Sequence, residues 1–313
     1  MGTWQNSVHT QSDDKYFEFG DVTYTDKTRA VIKVQDGCNQ FCSYCIIPYA
    51  RGRIRSRDRE NVLKEIDGLA KKGYKEVVIT GIHVASYGKD LNNNYFLIDL
   101  LEDINKINGI ERIRLGSLEP TLITDEFTER ISKLSKICHH FHLSLQSGCD
   151  KTLKEMNRKY TTKEFENVTN RLRRVFNDVI LTTDIIVGFP GESEEDFKST
   201  YDFLKKIKFY KMHVFKYSPR KGTVAAKMKN QISPEIKDSR SKALIELSDL
   251  NEKDYLNEYI GKTVEVLFEE KEGDLIKGHT QNYILVKKCG NAKINNIEKV
   301  EINGAGNDYL MGI

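Results

Sequence analysis

Val31-Ile32-Lys33-Val34-Gln35-Asp36-Gly37-Cys38-Asn39-Gln40-Phe41-Cys42-Ser43-Tyr44-Cys45-Ile46-Ile47-Pro48 decides how the chain must fold. An apolar, β-branched run reaches Asp36, Gly37 turns the chain, and three thiols follow at C-x3-C-x2-C spacing. A loop of that spacing wraps one face of a cubane iron–sulfur cluster, with one thiolate on each of three irons. Four thiolates close a cluster, whereas three leave one iron open, and an open position distinguishes catalytic from structural metal sites. The competing readings are a zinc knuckle or three unrelated core thiols. Zinc needs a fourth ligand, and the first Cys or His after Cys45 is His83.

Beyond this loop, short apolar runs alternate with longer amphipathic stretches as far as about residue 215. The runs are Ala30–Val34, Glu76–Thr80, Arg112–Leu115, Phe141–Leu145, Val179–Val187 and Lys211–Phe215. Helical patterns fall near 58–72, 96–107, 124–136, 150–157, 162–176 and 194–208, with Thr124 and Ser193 placed as N-caps before acidic first turns. This alternation predicts right-handed βαβ units, an α/β fold with a parallel sheet curved into an open barrel. Chemistry then gathers at the C-terminal ends of the strands. A further helix is predicted over 234–257, with Ile236, Ala243, Leu247 and Leu250 on one face. After Gly261 the strand-like runs Lys262–Phe268, Tyr283–Val286 and Lys299–Ile302 predict a small all-β barrel. The expected division is 1–28 as a lead-in, 29–252 as the α/β core and 253–313 as the β module.

Hydrophobic residues are 39% and charged residues 30% of the 313, the balance of a globular protein. No run approaches the ~20 apolar residues of a membrane span, and the start of the chain has no signal-peptide pattern, so a cytoplasmic location is expected. Reduced thiols there favour a metal or redox role for the cysteine cluster. Cys138, Cys149 and Cys289 lack ligand spacing and are expected to be buried thiols. His140 and His142 fall on one side of their strand, and with His139 read first as packing residues. Net charge is only +3, so any pull on a polyanion must come from patches. Arg51, Arg53, Arg55, Arg57 and Arg59 alternate just past the cysteines and suggest a surface for RNA phosphates. The alternative is a solvated face with ion pairs. Seven Lys against six Glu and two Asp leave the module after Gly261 slightly acidic.

Cys38-x3-Cys42-x-Tyr44-Cys45 is similar to the signature of radical S-adenosylmethionine (SAM) enzymes. The stretch Gln35–Arg57 resembles their methylthiotransferase branch. The resemblance continues through Thr80–His83, Ser117–Pro120, His142–Gly148, Asp184–Glu192 and Val214–Met228 into the C-terminal module. It implies a partial (βα)6 radical SAM barrel, a [4Fe–4S] cluster, SAM as co-substrate and a TRAM-like RNA-binding barrel after Gly261. The implied activity is methylthiolation of C2 of N6-threonylcarbamoyladenosine at position 37 of tRNA, in the anticodon stem-loop. Sister branches act on isopentenyladenosine in tRNA or on an aspartate of a small-subunit ribosomal protein. A reductase or flavodoxin-type electron donor is implied, and no membrane partner.

Against that frame Cys38, Cys42 and Cys45 are the metal ligands and catalytic centre. Tyr44 suits the SAM adenine or shields the cluster. Thr80 and Gly81 end a strand where backbone groups can reach the SAM ammonium. Glu119, Gln146 and Ser147 end later strands and offer partners for ribose hydroxyls or substrate, or are plain loop polars. Arg158 matches a carboxylate in two-pronged fashion, and Asp184, a charge inside an apolar strand, needs a partner or a ligand. The glycines of Gly188–Glu192 permit close approach of a ligand to the backbone.

Methylthiotransferases resembling this chain carry a further N-terminal domain whose three cysteines hold a second, auxiliary [4Fe–4S] cluster. Those ligands are absent from this sequence. The chain is therefore expected to bind one cluster and SAM and to release a 5′-deoxyadenosyl radical, without completing the C–S bond alone. RNA binding through the β module, without catalysis, is the non-enzymatic alternative.

Overall fold

The computed structural model describes residues 15–18, 28–290 and 292–313, so the lead-in expected over 1–28 lies almost wholly outside the described residues. The chain runs β1 (Arg29–Asp36), α1 (Ile47–Arg51), β2 (Arg55–Ser56), α2 (Arg59–Lys71), β3 (Glu76–Gly81), α3 (Leu97–Asn105) and β4 (Arg112–Leu115). It continues through α4 (Asp125–Ser132), β5 (His140–Gln146), α5 (Asp150–Glu155), α6 (Thr162–Val175), β6 (Ile180–Val187), α7 (Glu194–Ile207), β7 (Lys211–Lys216) and α8 (Pro234–Asn257). β1, β3 and β4 pair in parallel, as do β5, β6 and β7. The parallel bridges Ile113↔Ile137 and Leu118↔Leu143 join the two sheets into one arc. This is the partial (βα)6 barrel that the alternation predicts.

Its core is built from one face of the strands packed against the helices. Ala30, Ile32, Val34, Val77, Ile79, Phe141, Leu143 and Leu145 meet Val62, Ile66, Leu100, Leu101 and Phe165 of the helices. A fully buried Leu or Ile contributes roughly 1.5–3 kcal/mol. Thr124 and Ser193 accept from Phe127 N and Asp196 N, which places α4 and α7 where their caps predict.

Two elements depart from expectation. α1 and β2 lie inside the arginine run, and β2 closes back antiparallel on the end of β1. In α8 the buried face is not Ile236–Leu250: Ile236 is 43% and Leu250 57% exposed, while Arg240, Ser241, Leu244, Leu247, Ser248 and Asn251 are buried. That face is polar because it covers β7, the edge of its sheet. Ser248 Oγ accepts from Met212 N at 2.9 Å, and Asn251 Nδ2 donates to Phe209 O at 3.0 Å.

The C-terminal strands β8 (Thr263–Glu272), β9 (Leu275–Thr280), β10 (Leu285–Cys289), β11 (Ile297–Ala305) and β12 (Leu310–Gly312) close a barrel in the order β10-β12-β11-β8-β9. Val266, Phe268, Ile276, Val286, Val300, Ile302 and Leu310 fill it. Tyr283, expected in a strand, sits instead at φ 73° in the turn before β10. The position 252/253 falls inside α8, whose Leu244 and Leu247 join the α/β core while Leu256 joins the barrel.

The small barrel docks on the N-terminal ends of the parallel strands. Arg112, the first residue of β4, donates to His279 O at 2.9 Å and Glu265 O at 3.0 Å. Arg29, the first of β1, pairs with Glu269. Gln281 and Asn282 donate to Ile137 O and Asp178 O, at 2.7 and 2.9 Å, just ahead of β5 and β6. Arg114 and Arg29 lie over the Tyr283 ring at 4.4 and 5.1 Å.

Candidate active site

The cysteine loop leaves the C-terminal end of β1. Gly37 has φ 71°, and a Cβ there would stand 1.8 Å from Arg53 O. Only glycine lets the two backbones meet this closely. Gln35, fully buried, donates through Nε2 to Asp36 O at 2.6 Å and Gly37 O at 2.7 Å, and its Oε1 accepts from His83 N at 2.8 Å. Across the arc, Ser43 N bonds Met156 O at 3.0 Å and Ala225 N bonds Ser43 O at 2.8 Å. The loop is thereby tied to β3, α5 and the segment after β7.

Cys38, Cys42 and Cys45 are half-buried free thiols. Burial pushes the Cys38 and Cys45 thiols up, and the neighbouring thiols, Cys42 foremost, push the same way. Three anionic sulfurs so close repel one another, and a cationic group among them relieves that repulsion. Among the described residues no group of three or more His, Cys, Asp or Glu is placed to hold a metal ion. A cube binds one thiolate per corner, and the loop supplies three free thiols at C-x3-C-x2-C spacing. The donor set and its spacing fit a [4Fe–4S] cluster.

Arg158 stands at the centre of the surrounding polar groups. Nη2 donates to Glu119 Oε2 at 2.6 Å and Ser144 O at 3.1 Å, Nε to Tyr160 Oη at 3.0 Å, and Nη1 to Cys42 Sγ at 3.3 Å. The Arg158 and Glu119 side chains are 6% and 4% exposed. His83 Nε2 lies 3.8 Å from Glu119 Oε2, and its Nδ1 contacts Ser86 Oγ. Tyr44 packs against Met156, Phe189, Tyr217 and Ala225, an apolar wall beside the thiols. Burial holds its phenol well above the ordinary value.

Thr80 and Gly81 end β3 next to Gln35, and a Cβ on Gly81 would stand 2.9 Å from Gln35 O. Gln146 ends β5 at φ 71°. Ser147 is 0% exposed, its Oγ 3.3 Å from Thr200 Oγ1 and accepting from Cys149 N at 3.3 Å, so it fastens the β5–α5 turn to α7 rather than facing the thiols. The partner that Asp184 requires is His142, whose Nε2 lies 3.1 Å from Oδ2. Both belong to the interior of the arc, in mid-strand. The Gly188–Glu192 turn is clamped from α8: Glu192 Oε2 accepts from Gly188 N at 2.6 Å and Arg240 Nη1 at 2.7 Å.

Most of the arginine run is ion-paired. Arg57 binds Glu18 and Glu65, Arg51 and Arg55 reach Asp36 at 4.0 and 3.5 Å, and Arg59 reaches Asp103 at 2.8 Å. Among the described residues Arg53 alone of the five has no carboxylate partner. Cys138 and Cys149 are buried as expected, but Cys289 is exposed, at the C-terminal end of β10. His83, Tyr160 and Arg240 escaped the sequence reading. Adjacency to Thr80-Gly81-Ile82 was the available signal for His83, and none existed for Arg240, 48 residues from Glu192.

Residues 32–204 match the sequence profile of the radical SAM superfamily. The chain is 43% identical over 303 residues to threonylcarbamoyladenosine tRNA methylthiotransferase MtaB of Bacillus subtilis, covering 95% of this chain and 67% of that protein. It is 39% identical over 292 residues to a tRNA-2-methylthio-N(6)-dimethylallyladenosine synthase of Acetivibrio thermocellus, covering 90% and 61%. The chain thus spans only about two thirds of the length of these relatives. In fold it is similar to a radical S-adenosylmethionine methyltransferase, TsrM, from Kitasatospora setae, at TM-score 0.53 and 18% identity over 63% of this chain and 38% of that one.

Proposed function

Because the chain belongs to the radical SAM superfamily, in its methylthiotransferase branch, we propose that it is the radical-generating part of a tRNA methylthiotransferase acting on C2 of N6-threonylcarbamoyladenosine. The observation that carries this is the trio of free thiols at the C-terminal mouth of a half barrel, with a buried arginine among them. A [4Fe–4S] cluster with one open iron supplies the electron that cleaves SAM to the 5′-deoxyadenosyl radical, a reagent for C–H bonds that acid–base groups cannot break. Cys38, Cys42 and Cys45 hold it. Arg158, its fork taken up by Glu119, Ser144, Tyr160 and Cys42, brings a positive charge to the SAM carboxylate, and Thr80 and Gly81, which ends β3 close against Gln35, offer backbone groups to the ammonium. Glu119 and Gln146, at the ends of neighbouring strands, suit the ribose hydroxyls. Tyr44 and the apolar wall behind it exclude water from the radical. Asp184 is held by His142 inside the arc, in mid-strand. The core over 29–252 supplies this chemistry, and the module over 253–313 supplies contacts to RNA.

The threonylcarbamoyl substrate is favoured by the extent of the match: the enzyme named for it aligns over 95% of this chain at 43% identity, whereas a dimethylallyladenosine enzyme of Thermoanaerobacter pseudethanolicus reaches 46% over 77%. The test needs only the first half-reaction. Anaerobically reconstituted chain is mixed with SAM, dithionite and anticodon stem-loops deuterated at C2 of the modified adenosine. Deuterium is expected in 5′-deoxyadenosine with the threonylcarbamoyl RNA, and no 5′-deoxyadenosine with Cys42→Ala. Label arriving only from isopentenyladenosine RNA overturns the substrate. Cleavage of SAM by Cys42→Ala as fast as wild type overturns the site.

A further inference from the structure

The three thiols differ in what donates to them. Cys38 Sγ accepts from Gln40 N at 3.4 Å, and Cys45 from the Ile47 amide; both are neutral backbone donors. Cys42 faces a cation, Arg158 Nη1, at 3.3 Å. That guanidinium is 6% exposed, so water screens it weakly. It is also held on every other edge: by Glu119 and Ser144 on Nη2, by Tyr160 Oη on Nε, and by the Tyr160 ring 5.0 Å beneath its carbon. The contact with Cys42 is built by three residues and is no chance rotamer of a long side chain. An arginine stays cationic even when buried, and Glu119 is the carboxylate that compensates it.

Resting on the cluster assignment above, we propose that Arg158 sets the reduction potential of the cluster through Cys42, with Glu119 as its counterweight. The step is a one-electron reduction: a low-potential donor gives up the electron, the cluster gains one negative charge, and no proton moves. A charge-assisted hydrogen bond to the thiolate stabilises the more negative, reduced state. Hydrogen bonds to cluster sulfurs and nearby charge are the levers that move such potentials. Glu119, 2.6 Å from the same guanidinium, offsets part of its field. Arg158 is in this respect a positioning residue, because it acts through Cys42.

The test is an anaerobic redox titration followed by electron paramagnetic resonance on the whole chain without SAM, after iron is counted. In Arg158→Gln the ratio of reduced to oxidised cluster, read at the wild-type midpoint, is expected to fall about tenfold, which is 59 mV for a one-electron couple. Glu119→Gln is expected to move the midpoint the other way, and Arg158→Lys, which keeps charge but loses the fork, to fall between. A ratio for Arg158→Gln within twofold of wild type at equal iron overturns the inference, as does a shift of the same sign in Glu119→Gln. Should Arg158→Gln hold no iron, Arg158→Lys is read instead, and a midpoint equal to wild type is the overturning result. Wild-type protein without a reducible cluster sinks the cluster assignment as well, whereas a reducible cluster with unmoved variants sinks only this inference.

Discussion

Replacing Arg240 with alanine removes one partner of an ion pair whose side chains are 5% and 1% exposed. The guanidinium also donates to Glu192 O at 3.1 Å and lies 5.2 Å over the Phe197 ring. Stranding one member of a buried pair costs about 3–5 kcal/mol. The carboxylate left behind keeps the Gly188 amide and can take up a proton, so the lower end of that range applies at neutral pH. Burial already raises the Glu192 pKa against the pull of the Gly188 amide and Arg240. An acid whose folded pKa is raised loses stability as pH climbs past its unfolded value, because the native state must then hold the costly charge. Without Arg240 the shift grows, so the gap between variant and wild type should be widest near pH 8 and narrow toward pH 5. Urea unfolding across that range measures it. A loss at pH 7 under about 1 kcal/mol, or a gap that widens on acidification, refutes the reasoning. Because the Gly188 turn hangs on Glu192, weaker SAM binding should accompany the stability loss.

Gly37→Ala must abandon a left-handed backbone, at about 1–2 kcal/mol, and clear a Cβ 1.8 Å from Arg53 O; a lowered urea midpoint and iron uptake well below wild type are expected. Iron incorporation itself should rise between pH 7 and 9, since metal needs thiolates and burial pushes the Cys38 and Cys45 thiols up; flat uptake across that range contradicts it. Arg112→Ala deletes two charge-assisted bonds to the small barrel, each worth about 1.5–3 kcal/mol. Faster proteolysis between α8 and β8 should follow, with the cluster retained.

The alternation of apolar runs and amphipathic helices was legible because period carries it: all six runs became strands of one arc. The thiols were legible because a single loop holds them. What escaped depends on contacts between distant parts of the chain. Arg57 belongs to a basic run on paper, but folding brings Glu18 and Glu65 to it. The α8 stripe was misjudged because apolar residues are assumed to mark the inner face, whereas an unpaired strand edge calls for Ser248 and Asn251 instead. Ser147 and Gln146 are neighbours in sequence, yet alternation and a left-handed Gln146 leave Ser147 bonded toward α7. Tyr283 has strong strand propensity, but its ring is needed against Arg29, Arg114 and His279, and the turn supplies that aim.

The docking of the small barrel carries a consequence for any RNA partner. The thiols stand past the C-terminal ends of the strands, while Arg29, Arg112, Ile137 and Asp178 meet the barrel at the N-terminal ends. Strands of 6 to 8 residues separate the two, which at about 3.3 Å per residue is roughly 20–26 Å. A nucleotide presented to the radical therefore lies well away from the barrel, and a stem-loop that touches both must run its stem down the flank of the arc. Photo-crosslinkers at Lys287 or Lys288 are then expected to capture stem phosphates several base pairs from the reacting adenosine. Crosslinkers at Phe41, which is 45% exposed beside the thiols, should capture the loop. Capture of the same loop nucleotides from both ends would mean that the barrel leaves its seat when RNA binds, and the rigid docking argued from Arg112 would have to be given up.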